Sequence, residues 1–286
     1  MFKSGEWKEY NDKLVKRGEV LIDLGFLKNE MQELGKMNEN KIGRPYQYSE
    51  SLFKFLGYLY AFVRNYRIIE GLCRALRKII PNFPTPDHST IQRSLRYEFE
   101  NKKIAGNMLI VDSTGFRMGR ATEYVEYRHR LRRSKRWVKL HIITDGKKIV
   151  RFIITKNNVG DSPAFREMFK TLKKELENVD VVIADTAYDS RENFNLIANF
   201  GIKPLIKVRK NSSTLSKRAP SRRMAVIEQR DPLWSKKSGY SKRWLVESVF
   251  SSIKRLFGET LSSRNFIYAL RELAILVSLF NLFHSL

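Results

Sequence analysis

Residues Gly239 to Phe257 read GYSKRWLVESVFSSIKRLF. An α-helix turns by about 100° per residue. On that period Arg243, Glu247 and Lys254 fall within about 60° of Tyr240. Leu245, Val249, Phe250, Ile253, Leu256 and Phe257 gather on the opposite arc. The spacing predicts one helix with a core face and, beside it, a narrow stripe of Tyr, Arg, Glu and Lys. Lys242 is the misfit; in the first turn it can snorkel out. A charged stripe of this kind is ordinarily no more than a solvated face, so its meaning depends on what the rest of the chain supplies.

The chain has 286 residues, enough to bury a substantial core as one main domain with a smaller one attached. Hydrophobic residues at 42% and aromatic residues at 12% exclude a disordered basic tail. Lys and Arg number 54 against 30 Asp and Glu, a formal charge of +24. Such a charge repels itself unless a polyanion offsets it, which makes nucleic acid the leading partner and an anionic membrane surface the second. Cys73 is the single cysteine, so internal disulfides and cysteine-rich zinc sites are excluded. The opening MFKSGEWKEY lacks the apolar run of a signal peptide. Near the C-terminus, ALRELAILVSLFNLFHSL is short and carries Arg271 and Glu272, and it reads as a buried helix. A cytoplasmic, nucleoid-associated protein without a membrane partner is expected.

Residues 1–103 read as an all-helical region. Ser49 is placed to cap ESLFKFLGYLYAFVRN, a second helix follows over YRIIEGLCRALRKII, and a third starts with Thr85 as cap and Pro86 in its first turn. From residue 104 the texture changes. NMLIVDSTGF and RWVKLHIITD read as strands, Asp145-Gly146 as a hairpin turn, and KKIVRFIITKNN as a third strand. Asp161 or Ser162 is expected to cap the helix PAFREMFKTLKKELE. The strand DVVIADTAY, the helix RENFNLIANF capped by Asp189 or Ser190, and the strand IKPLIKV complete an α/β order. That order predicts a ribonuclease-H-like mixed five-stranded sheet flanked by helices, with crossover units after the third strand.

Two strands end alike, in LIVDST and VIADTA: an apolar run stops at Asp112 and at Asp185. Strand ends are where sites form in open α/β sheets. Asp145, Asp161, Asp180 and Asp189 have turn or cap roles open to them, whereas Asp112 and Asp185 precede no clear helix start. Tyr240, two residues, Arg243, three, Glu247, six, Lys254 is a spacing that resembles the Y-R-E-K signature of insertion-sequence DDE transposases. The resemblance extends over about residues 106–286 and more weakly over 45–96. It implies that residues 104–286 form a catalytic domain, that Glu247 is its third catalytic carboxylate, and that Asp112 and Asp185, in DST and ADxxYD contexts, are the first two. The implied activity is cutting and joining of DNA at the ends of an insertion sequence by phosphoryl transfer, 3′-end hydrolysis followed by strand transfer. The implied partners are double-stranded DNA with terminal inverted repeats and target DNA, bound by a homodimer. The N-terminal helices then serve either as a helix-turn-helix DNA-binding unit or as a structural cap, and the sequence leaves both open. Two other readings use the same fold: a structure-selective nuclease, against which the Tyr-Arg-Glu-Lys spacing argues, and a catalytically inactive DNA-binding derivative, against which the three intact acids argue.

Three converging carboxylates repel one another, and without cations one or more takes up a proton. Two Mg²⁺ or Mn²⁺ ions, about 3.5–4 Å apart in two-metal sites, remove that conflict, and oxygen-only ligands suit them. His141 reads as a core or supporting residue rather than a ligand. Tyr240, Arg243 and Lys254 are expected to meet DNA, with about 16 Å of helix between the two cations. Two acid-free basic segments frame this site. One carries Arg128, Arg130, Arg132, Arg133, Lys135 and Arg136, the other Lys207, Arg209, Lys210, Lys217 and Arg218. Both are expected to contact the phosphate backbone.

Overall fold

The computed structural model describes residues 4–97, 99, 104, 106–119, 137–172, 175–215 and 217–286. The chain divides into two compact units, Met1–Phe99 with Arg271–Leu286, and Glu100–Leu270.

In the first unit the helices are α1 (Ser4–Leu21), α2 (Glu30–Asn38), α3 (Glu50–Val63), α4 (Tyr66–Ile79) and α5 (His88–Ser94). Ser49 caps α3 as the sequence predicts, its hydroxyl accepting the Leu52 N–H at 3.1 Å. The cap of α5 differs from expectation. Asp87, not Thr85, fills it, because its carboxylate reaches the Ser89 and Thr90 N–H groups at 2.9 and 3.0 Å and both hydroxyls as well. A carboxylate with four donors outcompetes a single threonine hydroxyl two residues earlier.

The second unit is built on β1 (Met108–Met118), β2 (Trp137–Thr144) and β3 (Ile149–Lys156), an antiparallel meander. Its hairpin forms at Asp145-Gly146 as predicted. Asp145 Oδ1 accepts the Lys147 and Lys148 N–H groups, and Gly146 takes φ +94°, which a side chain resists. Then come α6 (Asp161–Lys170), β4 (Val181–Ala184), α7 (Arg191–Ala198), β5 (Lys203–Ile206), α8 (Pro220–Glu228), α9 (Trp234–Lys237), α10 (Trp244–Phe257) and β6 (Thr260–Leu261). Strand order is β3-β2-β1-β4-β5, with β1, β4 and β5 parallel. This is the ribonuclease-H-like sheet with one addition: two-residue β6 pairs with β1 at Arg117↔Thr260, making six strands rather than five. The last helix, α11 (Phe266–Phe283), is long and apolar enough to cross a bilayer, but 67% of it is buried inside the fold. Within the first unit its Arg271 donates to the Gln92 and Arg93 carbonyls at the end of α5, where a cation complements the helix dipole.

Alternation along the strands decides which residues meet. Leu109, Val111, Val182, Ala184 and Ile143 share a core with Phe165, Met168 and Phe169 of α6 and Phe194 and Ile197 of α7. With period two, Ser113, Lys139 and His141 lie on that same face, and Asp112 lies on the other. β1 outruns its neighbour: pairing with β4 stops at Val111↔Ala184, and β6 does not take up that edge until Arg117. The open edge between those points is where α10 approaches and where a cleft forms.

Candidate active site

Asp112 and Asp185 are the next residues after the last β1–β4 rung, so parallel register sets them side by side on the face away from α6. Asp112 Oδ1 accepts the Ser113 N–H at 2.8 Å, and Oδ2 accepts Arg243 Nη1 at 3.0 Å. Arg243 Nη2 donates to Glu247 Oε1 across one helical turn. The guanidinium therefore bridges the first and third predicted acids. Asp185 Oδ1 accepts the Ala187 N–H at 2.7 Å and caps a 3-10 turn over Thr186–Tyr188. Asp185 thus has a local role as well as its place beside Asp112, in a turn too short to show in the sequence.

Burial pushes the Asp112 carboxyl up to about 6; the Ser113 N–H opposes this, Asp185 adds to it and Arg243 opposes it. At Asp112 the effect of burial outweighs the positive charge of Arg243. The donor set is oxygen only and suits a hard divalent cation. Among the described residues no three acid, imidazole or thiol side chains yet gather around one point. Asp112 and Asp185 are adjacent, and Arg243 stands between Asp112 and Glu247. The residues fit a metal, with the guanidinium supplying the positive charge between two of the acids.

The segment Gly239–Phe257 is not one continuous helix. Gly239 at φ +78° starts a 3-10 turn, Tyr240–Arg243, and α10 begins only at Trp244. Tyr240 is not solvent-facing. It is buried with its ring 4.9 Å from Trp234, and burial pushes its hydroxyl up to about 12. Lys254 does reach the open edge of β1, its ammonium 5.8 Å from the Phe116 ring centre and 3.7 Å from Glu259. Asp112, Ser113, Glu247, Phe250, Lys254 and Arg255 line an open cleft of about 570 Å³ there.

On the opposite face of the same strands is a second polar group. Asp161 Oδ1 accepts Ser113 Oγ at 2.8 Å and Lys139 Nζ at 3.0 Å, and His141 Nδ1 lies 3.3 Å away. His141 is fully buried, and its Nε2 meets Thr155 Oγ1 of β3 at 2.9 Å. The His141 ring, helped by Ser113 and Lys139 against the effect of burial, holds the Asp161 carboxyl well below the usual range. Asp161 does not cap α6, nor does Ser162. Gly160 occupies the cap position without a side-chain bond, and Asp161 is committed to the sheet instead. His141 lies in the buried interior, one of the two places the sequence allows it. The involvement of Asp161, Lys139 and Ser113 is missed by sequence reasoning. The available signal was three polar residues at alternate positions facing a covered side of the sheet.

Of the basic segments, Arg128 to Arg136 lies outside the described residues. Lys207, Arg209, Lys210, Lys217 and Arg218 are exposed on the connection between β5 and α8. Asp189, which the sequence offers as a cap, instead anchors that connection. Its fully buried carboxylate takes Arg222 Nε at 2.7 Å, Arg222 Nη2 at 2.9 Å and the Arg209 N–H at 3.1 Å. Ser190 caps α7.

The family described as "Transposase DDE domain" matches residues 105–282, and a second family of the same description matches residues 15–120. Among solved structures, the chain is similar to the cryo-EM structure of a piggyBac transposase synaptic complex with hairpin DNA. That similarity has a TM-score of 0.45 and 11% identity, over 93% of this chain and 73% of that chain.

Proposed function

The chain belongs to the DDE transposase family, whose members cut and join DNA with divalent metal ions, and on that premise we propose that Asp112, Asp185 and Glu247 are its three catalytic acids. The observation that carries this is the end of the β1–β4 ladder, which sets Asp112 beside Asp185 at an open strand edge with Arg243 joining Asp112 to Glu247. Two Mg²⁺ or Mn²⁺ ions held by these carboxylates would activate the attacking oxygen and stabilise the leaving oxygen of an in-line displacement. The substrates are double-stranded DNA with terminal inverted repeats and a target duplex. In the first step water adds to phosphorus and the bond to the 3′ oxygen breaks, freeing a 3′-OH. In the second that 3′-OH attacks a target phosphodiester and displaces the target's own 3′ oxygen, so one bond forms as another breaks.

The chain's residues divide the remaining work. Asp112 is held at both carboxylate oxygens, Oδ1 by the Ser113 N–H and Oδ2 by the Arg243 guanidinium. Arg243 and Lys254 bring positive charge to the cleft, where a phosphate oxygen is the matching ligand. Lys207, Arg209, Lys210, Lys217 and Arg218, with Arg128, Arg130, Arg132, Arg133, Lys135 and Arg136, supply contacts to the backbone. A homodimer on DNA follows from the need to join two ends.

The test is a joining assay with end DNA and target DNA in Mg²⁺ or Mn²⁺. Asp112→Ala, Asp185→Ala and Glu247→Ala, each shown to be folded, should lose cleavage and joining by well over the roughly 100-fold expected for an outer partner. Nonspecific DNA binding should persist, and the wild-type joined complex should have the mass of two chains. Asp145→Asn is the control: its turn needs only an acceptor oxygen, so activity stays. A folded Glu247→Ala protein joining at the wild-type rate would falsify the triad.

A further inference from the structure

We propose that Asp161 is a fourth acidic residue of this centre, a positioning residue that fixes the Asp112 carboxylate from the far face of the sheet through Ser113. The inference rests on the assignment of Asp112 as a catalytic acid.

The path is two hydrogen bonds long. Ser113 donates its hydroxyl to Asp161 Oδ1 at 2.8 Å and its backbone N–H to Asp112 Oδ1 at 2.8 Å. Fixing the Ser113 side chain fixes the peptide whose N–H orients Asp112, at the point where β1 has lost β4 as a neighbour and has not yet gained β6. Without an anchor, that stretch of strand would have support on the β2 side alone. Asp161 supplies the anchor from the first turn of α6, a rigid element packed on the sheet through Phe165, Met168 and Phe169.

Asp161 is itself held by more than Ser113 of β1. Lys139 and His141 come from β2, and His141 is backed by Thr155 of β3. This is more than a helix start requires, since α6 has its cap position at Gly160 and takes no side-chain bond there. Adding a third aspartate close to Asp112 and Asp185 also raises the charge repulsion that the site must overcome. A neutral acceptor would serve packing without that cost. Lys139 offsets the added charge, leaving a strong acceptor for the Ser113 hydroxyl.

The experiment uses the full chain with Asp161→Ala, Asp161→Asn, Ser113→Ala and the double variant Asp161→Ala/Ser113→Ala. Each is measured for folding, for Mn²⁺ affinity by electron paramagnetic resonance without DNA, and for joining rate. Asp161→Ala is expected to weaken Mn²⁺ binding and slow joining by roughly 10–100-fold, the effect of losing an outer partner of a metal ligand. Random duplex binding should be unchanged. Ser113→Ala should do the same, and the double variant should be no worse than Asp161→Ala, because both break one path. Wild-type Mn²⁺ affinity and rate in Asp161→Ala, or losses that multiply in the double variant, overturn the inference. Should Asp161→Ala not fold, Asp161→Asn and Ser113→Ala carry the same test, and wild-type behaviour in both overturns it. Asp112→Ala separates the two levels. If it loses Mn²⁺ affinity and joining while Asp161→Ala loses neither, the triad stands and this inference fails. If Asp112→Ala stays active, the triad assignment falls and takes this inference with it.

Discussion

Replacing Asp112 with asparagine should make the metal-free protein more stable at neutral pH while removing its activity. Burial, first among the causes, lifts this carboxyl from 3.8 to about 6. The folded state therefore keeps a proton that the unfolded chain releases near its ordinary value. The stability tied to that proton is fully present below about pH 4 and is lost as pH rises through about 6. At about 1.4 kcal/mol per pH unit the loss amounts to about 3 kcal/mol. The side chain is only 17% exposed, so solvent screening removes little of it. That loss already contains the opposing attraction of Arg243, so asparagine, which carries no charge to bury, should gain about 3 kcal/mol at pH 7. Urea denaturation of wild type and variant in EDTA, stepped from about pH 4 to 8, reads this directly. The stability difference, variant minus wild type, should climb by about 3 kcal/mol and then level off. Added Mg²⁺ should stabilise the wild type and leave the variant nearly unmoved. A difference that is flat or falls with pH would refute the claim that burial of an under-compensated carboxylate governs this site.

Two further outcomes follow from charges away from the acids. Asp189→Ala removes the buried counter-charge of Arg222 and the acceptor for the Arg209 N–H, and should cost about 3–5 kcal/mol in denaturant melts; a cost below about 1 kcal/mol would mean the basic connection is not anchored there. Neutralising Arg130, Arg132 and Arg133 together should flatten the salt dependence of binding to random duplex, by about 0.9 in log–log slope for each phosphate no longer neutralised. An unchanged slope would place that segment away from DNA.

Much of the sheet and the meeting of Asp112 with Asp185 are legible in the sequence because local signals and tertiary structure agree there. An apolar run that stops at an aspartate marks a strand end, and Asp112 and Asp185 mark two ends that parallel pairing brings together. Tyr240 departs from its expected place for a geometric reason. The helical period assumes one continuous α-helix, but Gly239 opens a 3-10 turn, which winds about 20° more per residue. Across Tyr240–Arg243 that accumulates to about 60°, which stacks Tyr240 over Arg243 on the side that meets Asp112, where its ring packs against Trp234. Arg243, at the junction with α10, keeps its relation to Glu247 one turn on, which is why that part of the stripe survives.

Asp161 is hidden for a different reason. Gly-Asp-Ser-Pro is sufficient to start a helix, so a local role accounts for the residue in the sequence. Its partners Ser113 and Lys139 lie 48 and 22 positions away, and only the folded sheet shows that they converge. The strands nevertheless carry a sign that such a partner exists. On the face of β1 and β2 that α6 and α7 cover, Leu109, Val111 and Ile143 are apolar, whereas Ser113, Lys139 and His141 at the same period are not. A hydroxyl, an ammonium and an imidazole on a covered face require an acceptor. α6 crosses that face, and the acid in its first turn accepts from the hydroxyl and the ammonium, with the imidazole 3.3 Å away. The alternation that sends Asp112 to one side of β1 thus sends Ser113 to the other, so a single strand serves both the acids that face the cleft and the group that holds one of them in place.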